Sequence, residues 1–350
     1  MDQFLSPLIR IGYIAALCFL LAVALTPSVI KLLKKYKMGK SIRDAKAAPV
    51  MSGLHAAKAG TPTMGGIVIW VSVGAVIAAF FYGCTFFGSN IACNFNFLSR
   101  SQTFLPFGAF FAAAIVGLID DYLNVKRIGP KGGGLRVRHR LFSYTLIALA
   151  AAWWFYTKLS WDSIHVPFYG DFALGAWYVP FFAFVIVATS HSVNVTDGLD
   201  GLAGGTLLAA FGAYGAIAFS MGKYDLAALC AAIFGALLAF VWHNITPAAF
   251  FMGDTGAMAL GTALGVIAML TNQPLLLPLI GIVFVVESGS VLLQIASKKL
   301  RNGKKLFMSS PLHHHLEAIG WGEPKIVMRF WVISFLAAWV GTVIAMVDRS

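Results

Sequence analysis

Ten long apolar runs dominate the chain, and they leave few folds open to it. They fall at 8–30, 65–87, 104–120, 141–157, 176–192, 199–219, 226–242, 255–271, 276–297 and 327–347. At about 1.5 Å per residue, the shortest are just long enough to cross a bilayer as a helix. Lipid gives the backbone no hydrogen-bonding partner, so a spanning segment is a helix or part of a closed barrel. Barrel strands would alternate over about ten residues, whereas these runs are continuous. Composition agrees: only 11% of the 350 residues are charged, against about 25% in soluble domains. The expected fold is all-α, a single integral membrane domain over 1–350 with about ten transmembrane helices.

Charge sets the expected orientation. Of the 26 Lys and Arg, eight lie in 31–60, six in 121–140 and six in 298–325. The other connections carry isolated cations such as Arg100, Lys158 and Lys223. The three basic regions follow the first, third and ninth runs. The positive-inside rule then puts them in the cytoplasm and both termini outside. The net charge of +12 is thus concentrated on one face, where it suits anionic lipid or a polyanionic substrate. There is no nucleic-acid-binding module. The first run has its basic cluster after it, so it reads as a retained span and not a signal peptide. Cys18 and Cys230 fall inside spans, while Cys84 and Cys93 lie near the outer face and could pair. The segment 88–103 reads as an ordinary outer loop.

Charged residues at the edge of lipid are costly and mark sites or buried pairs. Asp120 and Asp121 leave the third run in GLIDDYLNVKR. Adjacent carboxylates repel and point about 100° apart on a helix, so they are expected to do different jobs. In NVTDGLDGLAGG, Asn194, Asp197 and Gly201 recur at about helical spacing, as do Asp197 and Asp200. In HNITPAAFFMGDTG, Asp254 opens the eighth run beside Phe250 and Phe251, which could stack on a base or sit in the membrane interface, and Asn244 closes the seventh. Asp254 is also an ordinary helix-capping choice. His313, His314 and His315 are consecutive in PLHHHLE, and consecutive residues do not easily converge on one zinc ion. Lys58, Thr61 and Thr63 precede the second run in KAGTPTMGG, which is not a P-loop. Glu287 lies within the ninth run, on one helical face with Ser290 and Gln294. It is expected to point into the bundle, either bonding neighbouring spans or lining a lipid route; the structural job is favoured. Acids for a divalent cation, cations for phosphate and a lipid setting together suggest phosphoryl-group chemistry on a lipid.

At GTPTMGG, DDY, NVTDGLDG, FMGDTG and PLHHHLE the chain resembles the polyprenyl-phosphate N-acetylhexosamine-1-phosphate transferases. GTPTMGG and the histidine run point to their bacterial phospho-N-acetylmuramoyl-pentapeptide transferase branch. That resemblance covers nearly the whole chain. It implies transfer of phospho-N-acetylmuramoyl-pentapeptide from UDP-N-acetylmuramoyl-pentapeptide to undecaprenyl phosphate, giving UMP and lipid I. It also implies Mg²⁺, a homodimer, and a place in the bacterial cytoplasmic membrane with the site facing the cytoplasm. By the same resemblance, Asp254 matches the metal-binding aspartate, and one of Asp120 and Asp121 deprotonates the lipid phosphate. His313 matches a catalytic histidine, accompanied by His314 and His315, while Asn194 and Asp197 match active-site positions. Lys58, Asp200, Asn244 and Phe251 match the nucleoside side, with Phe251 as the stacking ring. The segments 44–54, before His55, and 128–145, with Ser143 where a glutamine is usual, depart from the family pattern.

Overall fold

The computed structural model describes residues 2–39, 58, 60–99, 102–130 and 133–348. The segment 44–54, His55 and Arg100 lie outside the described residues. Every one of the ten apolar runs falls on a helix. These are α1 (Asp2–Lys35), α2 (Gly66–Phe87), α4 (Phe104–Val125), α5 (Val137–Lys158), α6 (Tyr178–Thr196), α7 (Leu202–Ser220), α8 (Tyr224–Asn244), α9 (Asp254–Leu270), the pair α10 (Leu277–Ile280) and α11 (Ile282–Leu300), and α13 (Glu323–Val347). Two short helices complete the set, α3 (Asn90–Phe95) and α12 (Leu312–Ala318).

Seven helices among the described residues are long and apolar enough to cross a membrane, or eight if the bent α10–α11 pair is one span. Helix α9 is the hub. From Thr255 to Leu270 all of its residues are buried, in contact with α4, α6, α2 and α7. A helix that is apolar all round is stable only inside protein or lipid, which is why α9 needs just 17 residues. Helix α1 behaves oppositely. Its buried stripe Ile14, Cys18 and Ala22 recurs every fourth residue and faces α8. The remaining apolar positions, such as Leu8, Tyr13 and Leu20, are exposed. Lipid is as apolar as leucine, so such helices are held by close packing of small residues and by hydrogen bonds.

Three expectations are corrected. The run 276–297 is not one straight helix: it bends by 82° where α10 meets α11, and Gly281 is the break. The loop 88–103 contains α3 and is closed by a Cys84–Cys93 disulfide. Between α5 and α6 lies an unanticipated β-hairpin, β1 (Ser163–Val166) with β2 (Gly170–Ala173), antiparallel with Ser163 opposite Ala173. His165 on β1 bonds Asp171 on β2 at 2.8 Å and Asp348 just past α13. The hairpin is thereby tied to the end of the last helix.

Candidate active site

The site lies at one end of the bundle, where α4, α6 and α8 finish and α2, α5, α7, α9 and α13 begin. Its centre is the first turn of α9. Asp254 opens that helix, and its carboxylate accepts from Arg140 Nη1 at 2.7 Å and from Asn194 Nδ2 at 2.7 Å. Arg140 Nη1 also reaches Asp120 Oδ2 at 3.3 Å, so one guanidinium stands between two carboxylates. Asp120 further accepts from the Leu135 N–H. Asp254 is the most open of the three acids, its side chain 20% exposed, against 6% for Asp120.

Asp121 does something else. Its two oxygens accept the backbone N–H groups of Asp254 at 3.1 Å and Thr255 at 3.0 Å. These are donors that the start of a helix leaves without intrahelical partners. The carboxylate from α4 therefore caps α9, and the adjacent aspartates do take different jobs. Gly253, just before, sits at φ 73°, and a Cβ there would come within 2.5 Å of Asp121 Oδ2; the glycine of FMGDTG is required by this contact. The GTPTMGG segment is laid alongside by backbone bonds, Phe251 N to Pro62 O and Gly65 N to Phe251 O.

A second group flanks the first. Lys58 Nζ donates to Asp200 Oδ1 at 2.7 Å and also to Glu323 at the start of α13. Glu323 accepts the Asp200 N–H as well, at 2.7 Å. Asn244 accepts from Gly201 N at 2.9 Å and donates to Phe250 O at 2.8 Å, so its amide braces the loop between α8 and α9. The Asn194–Asp197–Gly201 spacing is not helical as expected. α6 stops at Thr196 and Gly201 takes φ 80°. The break sends Asn194 to Asp254 and Asp200 to Lys58, while Asp197 marks the end of α6. Phe250 is fully buried against Phe240, which removes it as a stacking ring; Phe251 is half-buried.

The histidine run forms the third group on α12. His313 Nδ1 lies 2.7 Å from Glu287 Oε2, His314 Nδ1 lies 2.7 Å from Glu317, and His315 Nδ1 accepts from Met308 N at 3.3 Å. The His313 and His314 rings meet edge to face with centroids 4.0 Å apart, and each of the three histidines has its own Nδ1 partner. Among the described residues no three metal-ligating side chains converge. Glu287, expected to point into the bundle, bonds the first histidine of a cytoplasmic motif on the neighbouring α12.

Sequence reasoning missed Arg140, Glu323 and the partner of Glu287. Arg140 was one of six cations in its region, and nothing local marks it out. Glu323 had a faint signal at most, an acid four residues before the run 327–347; the observed helix begins at it. A cavity of about 620 Å³ lined by Ser6, Arg10, Phe95 and Tyr224 lies at the opposite end of the bundle from the carboxylates.

The helix ends of this bundle thus bring aspartates, an arginine and a lysine together at one site. Residues 103–272 match Glycosyl transferase family 4, and residues 58–69 match Phospho-N-acetylmuramoyl-pentapeptide-transferase signature 1. The phospho-N-acetylmuramoyl-pentapeptide-transferase of Chloroflexus aggregans is 37% identical over 349 residues, covering 96% of this chain and 90% of that one. Those of Geobacillus thermodenitrificans and Bacillus anthracis are each 39% identical, covering 93% of this chain and 95% of theirs. The chain belongs to the phospho-N-acetylmuramoyl-pentapeptide-transferase family.

Proposed function

We propose that this chain transfers phospho-N-acetylmuramoyl-pentapeptide from its UDP carrier to undecaprenyl phosphate, releasing UMP and forming lipid I. The observation that carries the reading is the meeting of Asp120, Asp254, Asn194 and Arg140 at the start of α9. A phosphate oxygen of the lipid attacks the β-phosphorus of the sugar diphosphate; that P–O bond forms as the bridging P–O bond to UMP breaks. Asp120 is the base for the lipid phosphate: the oxygens of Asp121 cap the backbone of α9, whereas those of Asp120 meet the Leu135 N–H and the partly exposed guanidinium of Arg140, on the open side of the site. Arg140 holds the charge of Asp120 and Asp254 in place and is positioned to meet substrate phosphate.

The donor set fits Mg²⁺, which takes one or two carboxylates and leaves its other positions to water and substrate phosphates. Asp254, the most open of the three acids, would hold the ion. Bound there, Mg²⁺ supplies charge neutralisation for the diphosphate and its leaving group. Lys58, Asp200 and Phe251 form the nucleoside side, with Phe251 stacking on the base. The wider reading has ten spans, both termini outside, the site facing the cytoplasm in the bacterial inner membrane, and a homodimer. The positive-inside distribution of the basic regions supports the orientation.

The test is a purified preparation given undecaprenyl phosphate, Mg²⁺ and either UDP-N-acetylmuramoyl-pentapeptide or UDP-N-acetylglucosamine. UMP and a lipid-linked product from the pentapeptide nucleotide alone are expected. Turnover of UDP-N-acetylglucosamine alone would overturn the substrate assignment.

A further inference from the structure

Glu287 and His313 are both fully buried, and two hydrogen bonds join them. The His313 N–H reaches Oε1 at 3.2 Å, and the ring Nδ1 lies 2.7 Å from Oε2. An ionised carboxylate only accepts, so it fixes the ring proton on Nδ1. The other nitrogen, Nε2, is buried and has no partner among the described residues. It abuts Gly198 in the turn between α6 and α7; a Cβ there would lie 2.2 Å from it. That turn also carries Asp200, which Lys58 holds. A buried acceptor with nothing to accept is costly, and a water, an ion or a ligand group can complete it.

We propose that Glu287 is a positioning residue for His313: it keeps the proton on Nδ1, so that a bare Nε2 faces the Gly198 turn as acceptor for a hydroxyl or amide N–H of the bound nucleotide sugar. This rests on the transfer reaction above. Only a residue without a side chain lets the turn approach Nε2 this closely. The nucleotide sugar is the substrate concerned because the same turn carries Asp200 of the nucleoside side. A carboxylate meets two donors from His313, the backbone N–H and Nδ1–H, with two acceptor oxygens. An amide offers one acceptor and one donor. Glu287→Gln therefore turns its N–H groups toward Nδ1 and drives the ring proton to Nε2, replacing the acceptor with a donor.

The experiment uses the full chain in detergent with ¹⁵N-labelled histidine, His313 being assigned by loss of its signals in His313→Gln. In the wild type the His313 pattern is expected to show a protonated Nδ1 and a bare Nε2. In Glu287→Gln the pattern inverts, and the melting temperature stays near wild type. The KM for UDP-N-acetylmuramoyl-pentapeptide rises roughly tenfold, the loss of a hydrogen bond to a buried group. The KM for undecaprenyl phosphate stays within about twofold, and Glu287→Asp, which keeps the carboxylate, recovers the Nδ1–H form. A wild-type ring protonated on Nε2 would overturn the proposal, and so would an inverted ring with an unchanged nucleotide-sugar KM. Should Glu287→Gln not fold, the wild-type and Glu287→Asp spectra decide. If the wild type releases no UMP, the transfer reading fails, while the spectra still decide the part Glu287 plays.

Discussion

Asp120 and Asp121 are neighbours in sequence, yet their removal is expected to fail in opposite ways. Asp121→Ala takes the acceptor from two buried backbone donors, the N–H groups of Asp254 and Thr255. A buried donor left unsatisfied costs about 1–3 kcal/mol, so the change should cost about 2–5 kcal/mol once some rehydration is allowed. Asp121→Asn keeps one oxygen and should lose about half of that. Asp120→Asn leaves an oxygen for the Leu135 N–H and sits beside a partly exposed guanidinium, so it should melt near wild type while turnover collapses. The assay is a thermal melt in detergent paired with UMP release per folded molecule. If Asp121→Ala melted with the wild type and lost only turnover, the cap would be wrong and Asp121 would belong to the chemistry.

Phe251→Leu should raise the KM for the nucleotide sugar about fivefold while leaving that for undecaprenyl phosphate unchanged, a stacking loss of about 1 kcal/mol; equal loss for both would mean the ring packs the fold. Glu323→Gln should loosen Lys58 and raise the nucleotide-sugar KM with little change in kcat, measured by UMP release; unchanged KM would show that Asp200 holds Lys58 alone. His165 on the hairpin supplies a pH dependence. Burial lowers its pKa, but the Asp171 and Asp348 carboxylates outweigh that and raise it above the ordinary histidine value. A raised folded pKa means the stabilisation is whole below about pH 6.5 and is lost as pH rises through the folded pKa. The melting-temperature gap between wild type and His165→Gln should therefore narrow above neutral pH; a gap that widens with pH would refute it.

The helices were legible because lipid forces each span to be a long apolar run, so hydropathy carries nearly the whole signal. The site was legible in part. Asp254 and Asn194 were named from residue type and place, and the structure joins them at 2.7 Å. What sequence could not give was pairing across distant segments. Arg140 meets Asp254 from 114 positions away, and Lys58 meets Glu323 from 265. Local spacing also misled. Asn194 to Asp200 has helical intervals, but the helix breaks at Thr196. Glu287 lies within the ninth run, which reads as one span, and an 82° bend breaks that run six residues before it. The hairpin was missed because two strands of four residues each are too short to show alternation.

The account turns on Asp254, which bonds both Arg140 and Asn194 at the start of α9. Wild type and Asp254→Asn should be purified in the same detergent and given saturating Mg²⁺, UDP-N-acetylmuramoyl-pentapeptide and undecaprenyl phosphate. The expected result is a monodisperse, normally melting variant whose UMP release is down by roughly 1,000-fold, about 4 kcal/mol of barrier. Near-normal UMP release from the folded variant would contradict the account.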